Sequence, residues 1–287
     1  MNNKTPRVAV LLAAYNGEQW IRSQLDSIWS QEGVSVDVFV SLDFSSDGTL
    51  NFLQDLKDNH NNLYILPYGD TFGGAAKNFY RLIKDVDVAA YEYIAFADQD
   101  DIWLSGKLSR GIEAMKTSDS DAYSSDVMAF WLDGRQKLIK KSYAQREYDF
   151  MFESAGPGCT YIFRVEPFLD FKTFIISNWS IVLKIEFHDW LAYSFFRSRD
   201  HKWLIDDSPM MLYRQHDDNQ FGANSSWAAY LSRLKLIKNG WYSHQVRNIS
   251  QVLGVAPPSK RFIFFNFMQT RRKKLDAVSM LMFGCFF

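Results

Sequence analysis

Four short apolar runs in the first hundred residues constrain the fold more than any other feature. Residues 8–14 are apolar without interruption, 36–42 nearly so, and 63–66 and 93–96 follow. A strand with no polar side is buried on both faces, as in a parallel sheet covered by helices. The segments between carry helical spacing. Residues 18–30 bring Trp20, Ile21, Leu25, Ile28 and Trp29 to one side, and 49–59 and 76–84 repeat the pattern. This βαβαβαβ order predicts an α/β fold, a doubly wound, mostly parallel sheet with right-handed crossovers and helices on both faces.

The rest of the chain extends the pattern. Residues 107–117 have helical spacing, and 122–127 and 128–132 read as strands near the Asp133-Gly134 turn. Gly156-Pro157-Gly158-Cys159-Thr160 opens a strand over 161–164. A helical stretch precedes His188, and 203–207 lead on to 210–216. Past Ala223 the pattern is helical and basic, and from Arg233 onward Asp276 is the sole acid.

With 287 residues the chain has room for one large domain, or a domain with an appendage. Its net charge of −1 provides no basic field for nucleic acid. Cys159 and Cys285 form neither a disulfide framework nor zinc-ligand spacing, which fits a reducing cytosol. The first seven residues run into a strand rather than a signal sequence. The longest apolar tail, 277–287, is about half the roughly 20 residues a bilayer span needs. A cytoplasmic protein is expected, free or held on a membrane surface.

Chemistry gathers where the fourth strand ends. In Phe96-Ala97-Asp98-Gln99-Asp100-Asp101-Ile102-Trp103, three carboxylates fall in four positions at a strand's carboxyl end, where open α/β sheets bind ligands. Crowded carboxylates repel, and Mg²⁺ or Mn²⁺ relieves the repulsion through oxygen ligands. The same residues also read as an acidic turn with Asp101 capping the next helix. Asp43 and Asp47 after the second strand allow two readings as well, ligand contact or turn chemistry. So does His188-Asp189-Trp190, as a site or as a helix start with Asp189 as cap and Trp190 in the core.

Taken in order, these segments resemble the inverting glycosyltransferases of family 2, which have the GT-A fold. The resemblance rests on Ala13-Ala14-Tyr15-Asn16-Gly17-Glu18, the 43–49 loop, the acidic cluster and His188-Asp189-Trp190. Tyr213-Arg214-Gln215-His216, with Asn219 and Gly222, is similar to the rhamnosyltransferase branch that builds bacterial surface polysaccharides (O-antigen or capsule). The match spans about 7–225. It implies that Ala13, Tyr15 and Glu18 contact the nucleotide-sugar donor and that Asp43 accepts from the base imide. Phe44 departs from the family, which often has a second Asp there. Asn78, with Lys77 as a rival, would reach the nucleotide. Asp98 would approach the ribose or a metal, Gln99 the donor, and Asp100 and His216 would ligate the divalent cation. Asp101 would cap a helix or approach the sugar. Arg214 offers a fork for phosphate oxygens. Asp189 is the implied general base, with Glu186 in reserve, and His188, Trp190 and Gly158 stand on the acceptor side.

The expected arrangement is a catalytic domain over 1–225 and a basic, aromatic helical extension over 226–287. That extension combines Arg271-Arg272-Lys273-Lys274 with Phe262, Phe264, Phe265 and Phe267. Such a mixture suits anionic lipid heads, and equally a set of helices packed on the catalytic domain or on a twin subunit in a homodimer. The donor implied by the resemblance is dTDP-rhamnose, and the acceptor a glycan, either free or carried on polyprenyl diphosphate at the inner membrane face. Two other activities remain open. A sugar-1-phosphate nucleotidylyltransferase would want Arg and Lys after the first strand, where Tyr15-Asn16-Gly17-Glu18 stands. A non-catalytic glycan- or lipid-binding subunit would have no use for the retained acids.

Overall fold

The structure is a computed structural model and describes residues 5–216 and 239–283. Asn219, Gly222 and the basic stretch containing Trp227, Arg233, Lys235 and Lys238 lie outside the described residues. The expected apolar runs form β1 (Arg7–Ala14), β2 (Ser35–Leu42), β3 (Leu63–Ile65) and β4 (Tyr93–Asp98). Between them lie α1 (Ile21–Trp29), α2 (Thr49–Lys57) and α3 (Ala75–Asp85). Helix α1 starts later than its periodicity predicts. Trp20 and Ile21 both donate their N–H to the Gly17 carbonyl at 2.9 Å, so residues 17–20 form a turn instead.

After β4 come β5 (Ile102–Trp103), α4 (Lys107–Ser118), β6 (Ala122–Ser125), β7 (Val127–Phe130) and β8 (Gln136–Ile139). Then follow β9 (Ile162–Arg164), α5 (Val165–Ser177), α6 (Trp179–Val182), α7 (His188–Ser198), β10 (Trp203–Asp206) and β11 (Met211–Arg214). The described C-terminal helices are α8 (Trp241–Leu253), α9 (Lys260–Asn266) and α10 (Lys274–Phe283).

The main sheet has seven strands in the order β10-β6-β9-β4-β1-β2-β3. All pairs are parallel except those of β9, which runs antiparallel to β4 and β6. Alternate side chains of β1 divide between two cores, as the pleat requires. Ala9, Leu11 and Ala13 face the aromatic core under α3, α5 and α7, which holds Phe79, Phe163, Phe168 and Phe196. Val8, Val10 and Leu12 face a smaller aliphatic core with Leu25, Ile28, Leu53 and Ile112. Both sides of β1 are sealed, which accounts for its unbroken apolar sequence.

A second sheet, β5-β11-β7-β8, was not expected. The chain passes into it at the buried Asp126, inside the stretch 122–127 that reads in sequence as one strand. The Asp126 carboxylate accepts the Lys141 N–H at 2.5 Å and the Ser142 N–H at 2.8 Å. The residue's own N–H donates to the Asp206 carbonyl of β10 at 3.0 Å, the last bond to the main sheet before the chain crosses to the second. The small sheet carries β11 antiparallel to β5, so residues 214–216 return beside the acidic cluster.

Candidate active site

The carboxyl ends of β1, β2 and β4 open into one large cleft of about 2050 Å³. Single-ligand pockets run to about 300–1,000 Å³, so the cleft has room for two substrates. On one side, the loops after β1 and β2 are bound together edge to edge. The Asn16 N–H donates to Ser45 Oγ at 3.0 Å, the Gly17 N–H to Thr49 Oγ1 at 2.8 Å and the Glu18 N–H to Asp47 Oδ2 at 3.1 Å. In return, Glu18 Oε2 accepts the Gly48 N–H at 2.8 Å. Gln99 clasps Tyr15 from the β4 side: its Oε1 accepts the Tyr15 N–H and its Nε2 donates to the Tyr15 carbonyl, both at 2.8 Å. The Tyr15 and Phe44 rings are left more than half exposed at the rim.

Asp43 sits at the end of β2 and is nearly buried. Its carboxylate accepts three backbone N–H groups, from Phe44 and Phe72 at 2.8 Å and from Gly73 at 3.0 Å. Gly73 and Gly74 take φ of 73° and 146°, which aims those N–H groups inward and which side chains strongly disfavour. Asn78 donates to the carbonyls of Ala14 at 3.1 Å and Ser41 at 2.9 Å, fastening β1 to β2. Lys77 is exposed and stands apart from the cleft.

The acidic cluster divides into two layers. Asp98 and Asp100 face the cleft, and Asp100 Oδ2 meets His216 Nε2 at 2.8 Å. Burial, with Asp100 and Asp189 nearby, raises the Asp98 carboxyl to about 7. Asp101 lies behind, fully buried. Its Oδ1 accepts the Arg214 N–H at 3.1 Å, anchoring β11, while the N-cap of α4 is Gly106. Both sequence expectations for Asp101 are therefore corrected, because it neither caps the helix nor lines the cleft. The nearest-packed potential ligand atoms among the described residues belong to Asp98, Asp101 and Cys159, all within 4.8 Å. Burial holds both the Asp101 carboxyl and the Cys159 thiol well above their ordinary values. Asp101 and Cys159, pushed toward their neutral forms behind the cleft, are poor partners for a cation, whereas Asp98, Asp100 and His216 present oxygen and imidazole donors to the open cleft.

Arg214 alone among the expected donor residues does not line the cleft. Its Nε donates to the Asp100 carbonyl at 2.7 Å, and its guanidinium lies 4.4 Å from the Trp20 ring centre. It props the Asp100 backbone from behind.

The opposite wall comes from distant segments. Asp189 lies in the first turn of α7, with Oδ1 accepting the Trp190 N–H at 2.7 Å. Burial raises its carboxyl to about 6, against the opposing pull of that N–H, the Ser154 hydroxyl and the Lys141 cation. His188 stacks on Phe79 at 3.8 Å, and burial lowers its imidazole to about 3, so it is neutral. Gly158 makes this possible, since a Cβ there would stand 2.4 Å from His188 Nε2. Trp190 is largely core. Its Nε1 donates to the Phe150 carbonyl at 2.9 Å, and its ring stacks on Tyr242 at 5.6 Å. Glu186, the reserve base, accepts the Trp241 Nε1–H at 3.0 Å and is engaged with α8.

Ala13, Tyr15, Glu18, Asp43, Asn78, Asp98, Gln99, Asp100, Gly158, His188, Asp189, Trp190 and His216 thus share one cleft. Sequence reading missed Lys141, Glu153, Tyr242, Arg271 and Lys273, which line the same cleft. Lys141, Glu153, Arg271 and Lys273 sit in loops and Tyr242 in the first turn of α8, and nothing in the local pattern marks any of them as facing the cleft. Arg272 ties the tail down behind them, through its N–H to Glu153 Oε1 and its Nη2 to the Ser154 carbonyl, both at 2.6 Å.

The family model for "Glycosyl transferase family 2" matches residues 9–167, more than half of the chain. The chain belongs to that family. This family-2 glycosyltransferase is 43% identical over 282 residues to "dTDP-rhamnosyl transferase RfbG" of Shigella flexneri, covering 94% of this chain and 98% of that one. It is 31% identical over 110 residues to an Escherichia coli "UDP-Glc:alpha-D-GlcNAc-diphosphoundecaprenol beta-1,3-glucosyltransferase WfaP", covering 38% and 41% of the two chains. Among solved structures it resembles S. aureus TarS 1-349 in complex with UDP-GlcNAc, with a TM-score of 0.57 at 17% identity over 96% of this chain and 77% of that one. The mannosyltransferase PcManGT from Pyrobaculum calidifontis, in complex with GDP-Man and Mn2+, gives a TM-score of 0.54 at 15% identity over 98% and 80%. The GT-A fold expected from the sequence is borne out. The enzyme is a glycosyltransferase.

Proposed function

We propose that the enzyme transfers L-rhamnose from dTDP-rhamnose, with inversion, to a glycan acceptor carried on polyprenyl diphosphate. The observation that carries this reading is the separation of acids within one cleft. Asp98, Asp100 and His216 gather at the strand ends, while Asp189 stands on a helix that forms the facing wall, where the neighbouring acids Glu153 and Glu186 are engaged by Arg272 and Trp241. Inverting transfer needs that division, one site for the departing diphosphate and a separate base for the attacking hydroxyl. The donor identity is supported by the near-full-length likeness to RfbG, and the lipid-linked acceptor by the diphosphoundecaprenol acceptor in the name of WfaP.

In this mechanism Tyr15 and Phe44 offer ring faces to the base, and the Asp43 carboxylate edge receives its imide. The acceptor hydroxyl gives its proton to Asp189 as its oxygen bonds to the anomeric carbon. The bond from that carbon to the diphosphate oxygen breaks on the opposite face. A divalent cation, Mg²⁺ or Mn²⁺, held by Asp98, Asp100 and His216 would neutralise charge on the departing diphosphate. His188, neutral and stacked, keeps the α7 terminus dry beneath Asp189. Residues 1–225 would act as the catalytic domain and 226–287 as an extension completing the acceptor wall, with the enzyme in the cytoplasm at the inner membrane face.

The test is transfer from a panel of dTDP-rhamnose, UDP-glucose and GDP-mannose, with and without Mn²⁺. Metal-dependent transfer from dTDP-rhamnose, with product NMR showing the inverted anomer, is expected. Retention, or equal use of all three donors, would overturn the reading.

A further inference from the structure

The tail does more than complete a wall of the cleft. Half of the large apolar side chains exposed by the described residues fall within 255–281. In α9, Phe264 and Phe265 are 64% and 69% exposed, and they meet each other edge to face at 5.3 Å instead of packing inward. Helix α10 is split by face. Ala277 and Met280 are buried, whereas Leu275, Val278 and Leu281, at three-residue spacing, point outward. The 3₁₀ turn Phe267–Gln269 packs against both helices, and Met268 in that turn is also exposed. The two apolar edges therefore belong to one region of the surface.

The charges of this segment are basic with one exception. Lys260, Arg261, Lys273 and Lys274 are all exposed, and Asp276 is the sole acid of 255–283. Exposed rings amid cations complement a surface that offers anionic headgroups above acyl chains. The position adds a second argument. Arg271, Lys273 and Asp276 line the cleft beside Asp189, and the exposed stripe of α10 begins at Leu275 on the same segment.

We propose that Phe264, Phe265, Met268, Leu275, Val278 and Leu281, ringed by Lys260, Arg261 and Lys274, form the face on which the enzyme docks onto an anionic bilayer. Docking there sets the acceptor wall of the cleft at the membrane surface. The inference rests on the lipid-linked acceptor reading and gives it a location, but its test involves no sugar transfer.

The test is sedimentation of the full-length enzyme with vesicles of phosphatidylglycerol and phosphatidylethanolamine, beside vesicles of phosphatidylcholine alone. The enzyme is expected to pellet with the anionic vesicles, less so at high salt, and to stay in solution with the neutral ones. F264S/F265S should lose most of the pelleted fraction, and K260E/R261E should lose a comparable share. Both variants should keep the parent melting temperature and the parent transfer rate to a short water-soluble acceptor, since none of these four residues lines the cleft. L275S/V278S gives an independent reading from the other helix. Pelleting that survives F264S/F265S and L275S/V278S alike would overturn the proposal. So would an enzyme that ignores anionic vesicles and, by light scattering, changes from dimer to monomer in F264S/F265S, because a second copy would then cover the face.

Discussion

On the donor wall, Glu18, Asp43, Asn78 and Gln99 each direct their side chain at backbone groups of a neighbouring loop. On the acceptor wall, Lys141, His188 and Asp189 line the cleft with few such bonds, and burial displaces all three from their ordinary protonation equilibria. The first arrangement fixes shape, because hydrogen-bonded loops keep their geometry before a ligand arrives. The second stores reactivity, because a poorly solvated carboxylate is a stronger base than one in water. On the proposed mechanism, one wall would hold the nucleotide and the other would move the proton.

The contrast fails first at Asp189 if it is wrong. Asp189→Asn keeps the size and the Trp190 contact but removes the base, and kcat is expected to fall about 10²- to 10⁴-fold. Donor affinity, read as thermal stabilisation by dTDP-rhamnose, should stay unchanged. An unchanged kcat would pass the role to another group.

The pH profile tests the same wall. The base must be ionised, and burial has raised the Asp189 carboxyl to about 6. With Mn²⁺ saturating, so that Asp98 is held ionised, activity should reach its plateau above that value and fall as pH drops through it. At pH 5, kcat/KM should be roughly tenfold below its plateau, one decade per pH unit. A limb near pH 4 would mean that Asp189 titrates as an ordinary exposed carboxylate.

On the donor wall the expected effect is smaller and of another kind. Gln99→Ala opens the clasp on Tyr15, two hydrogen bonds worth about 0.5–1.5 kcal/mol each. The donor KM should rise up to roughly tenfold with kcat little changed. A loss confined to kcat would mean that Gln99 serves the reaction and not the loop.

This division also explains what could be read in the sequence. The donor wall lies within one hundred residues, on strands whose burial forces an apolar run and whose ends therefore stand out. Asp43, Asp98 and Asp100 were visible for that reason, and so were the first four strands. The acceptor wall joins Lys141, Glu153, Tyr242 and Arg271 to Asp189 across long gaps, through contacts such as Arg272 to Ser154 that leave no periodicity. The small sheet was hidden too. Strands of two to four residues are too short to show alternation, and the buried Asp126 where the chain changes sheets is satisfied by an N–H fifteen residues away. Asp101 misled most, since an acid before a helix looks the same whether it caps that helix or holds the backbone of Arg214 from 113 positions away.

The finest test of the acceptor wall is Lys141. Its side chain passes over Gly156, with Cγ 3.3 Å from where a Cβ would stand, and its cation favours the ionised form of Asp189. The Trp190 N–H and the Ser154 hydroxyl favour that form as well, while burial opposes it. Lys141→Met keeps the stem and removes only the charge. With one stabilising partner gone, the Asp189 value must rise, so the acid limb of kcat/KM should move to higher pH by about one unit or less. The plateau should hardly change, since the base is still ionised at pH 8. Lys141→Arg, which restores the charge, should return the limb toward its parent position. A limb unmoved in Lys141→Met, with a plateau that falls instead, would make Lys141 a contact for the acceptor and leave the tuning of Asp189 to its hydrogen bonds alone.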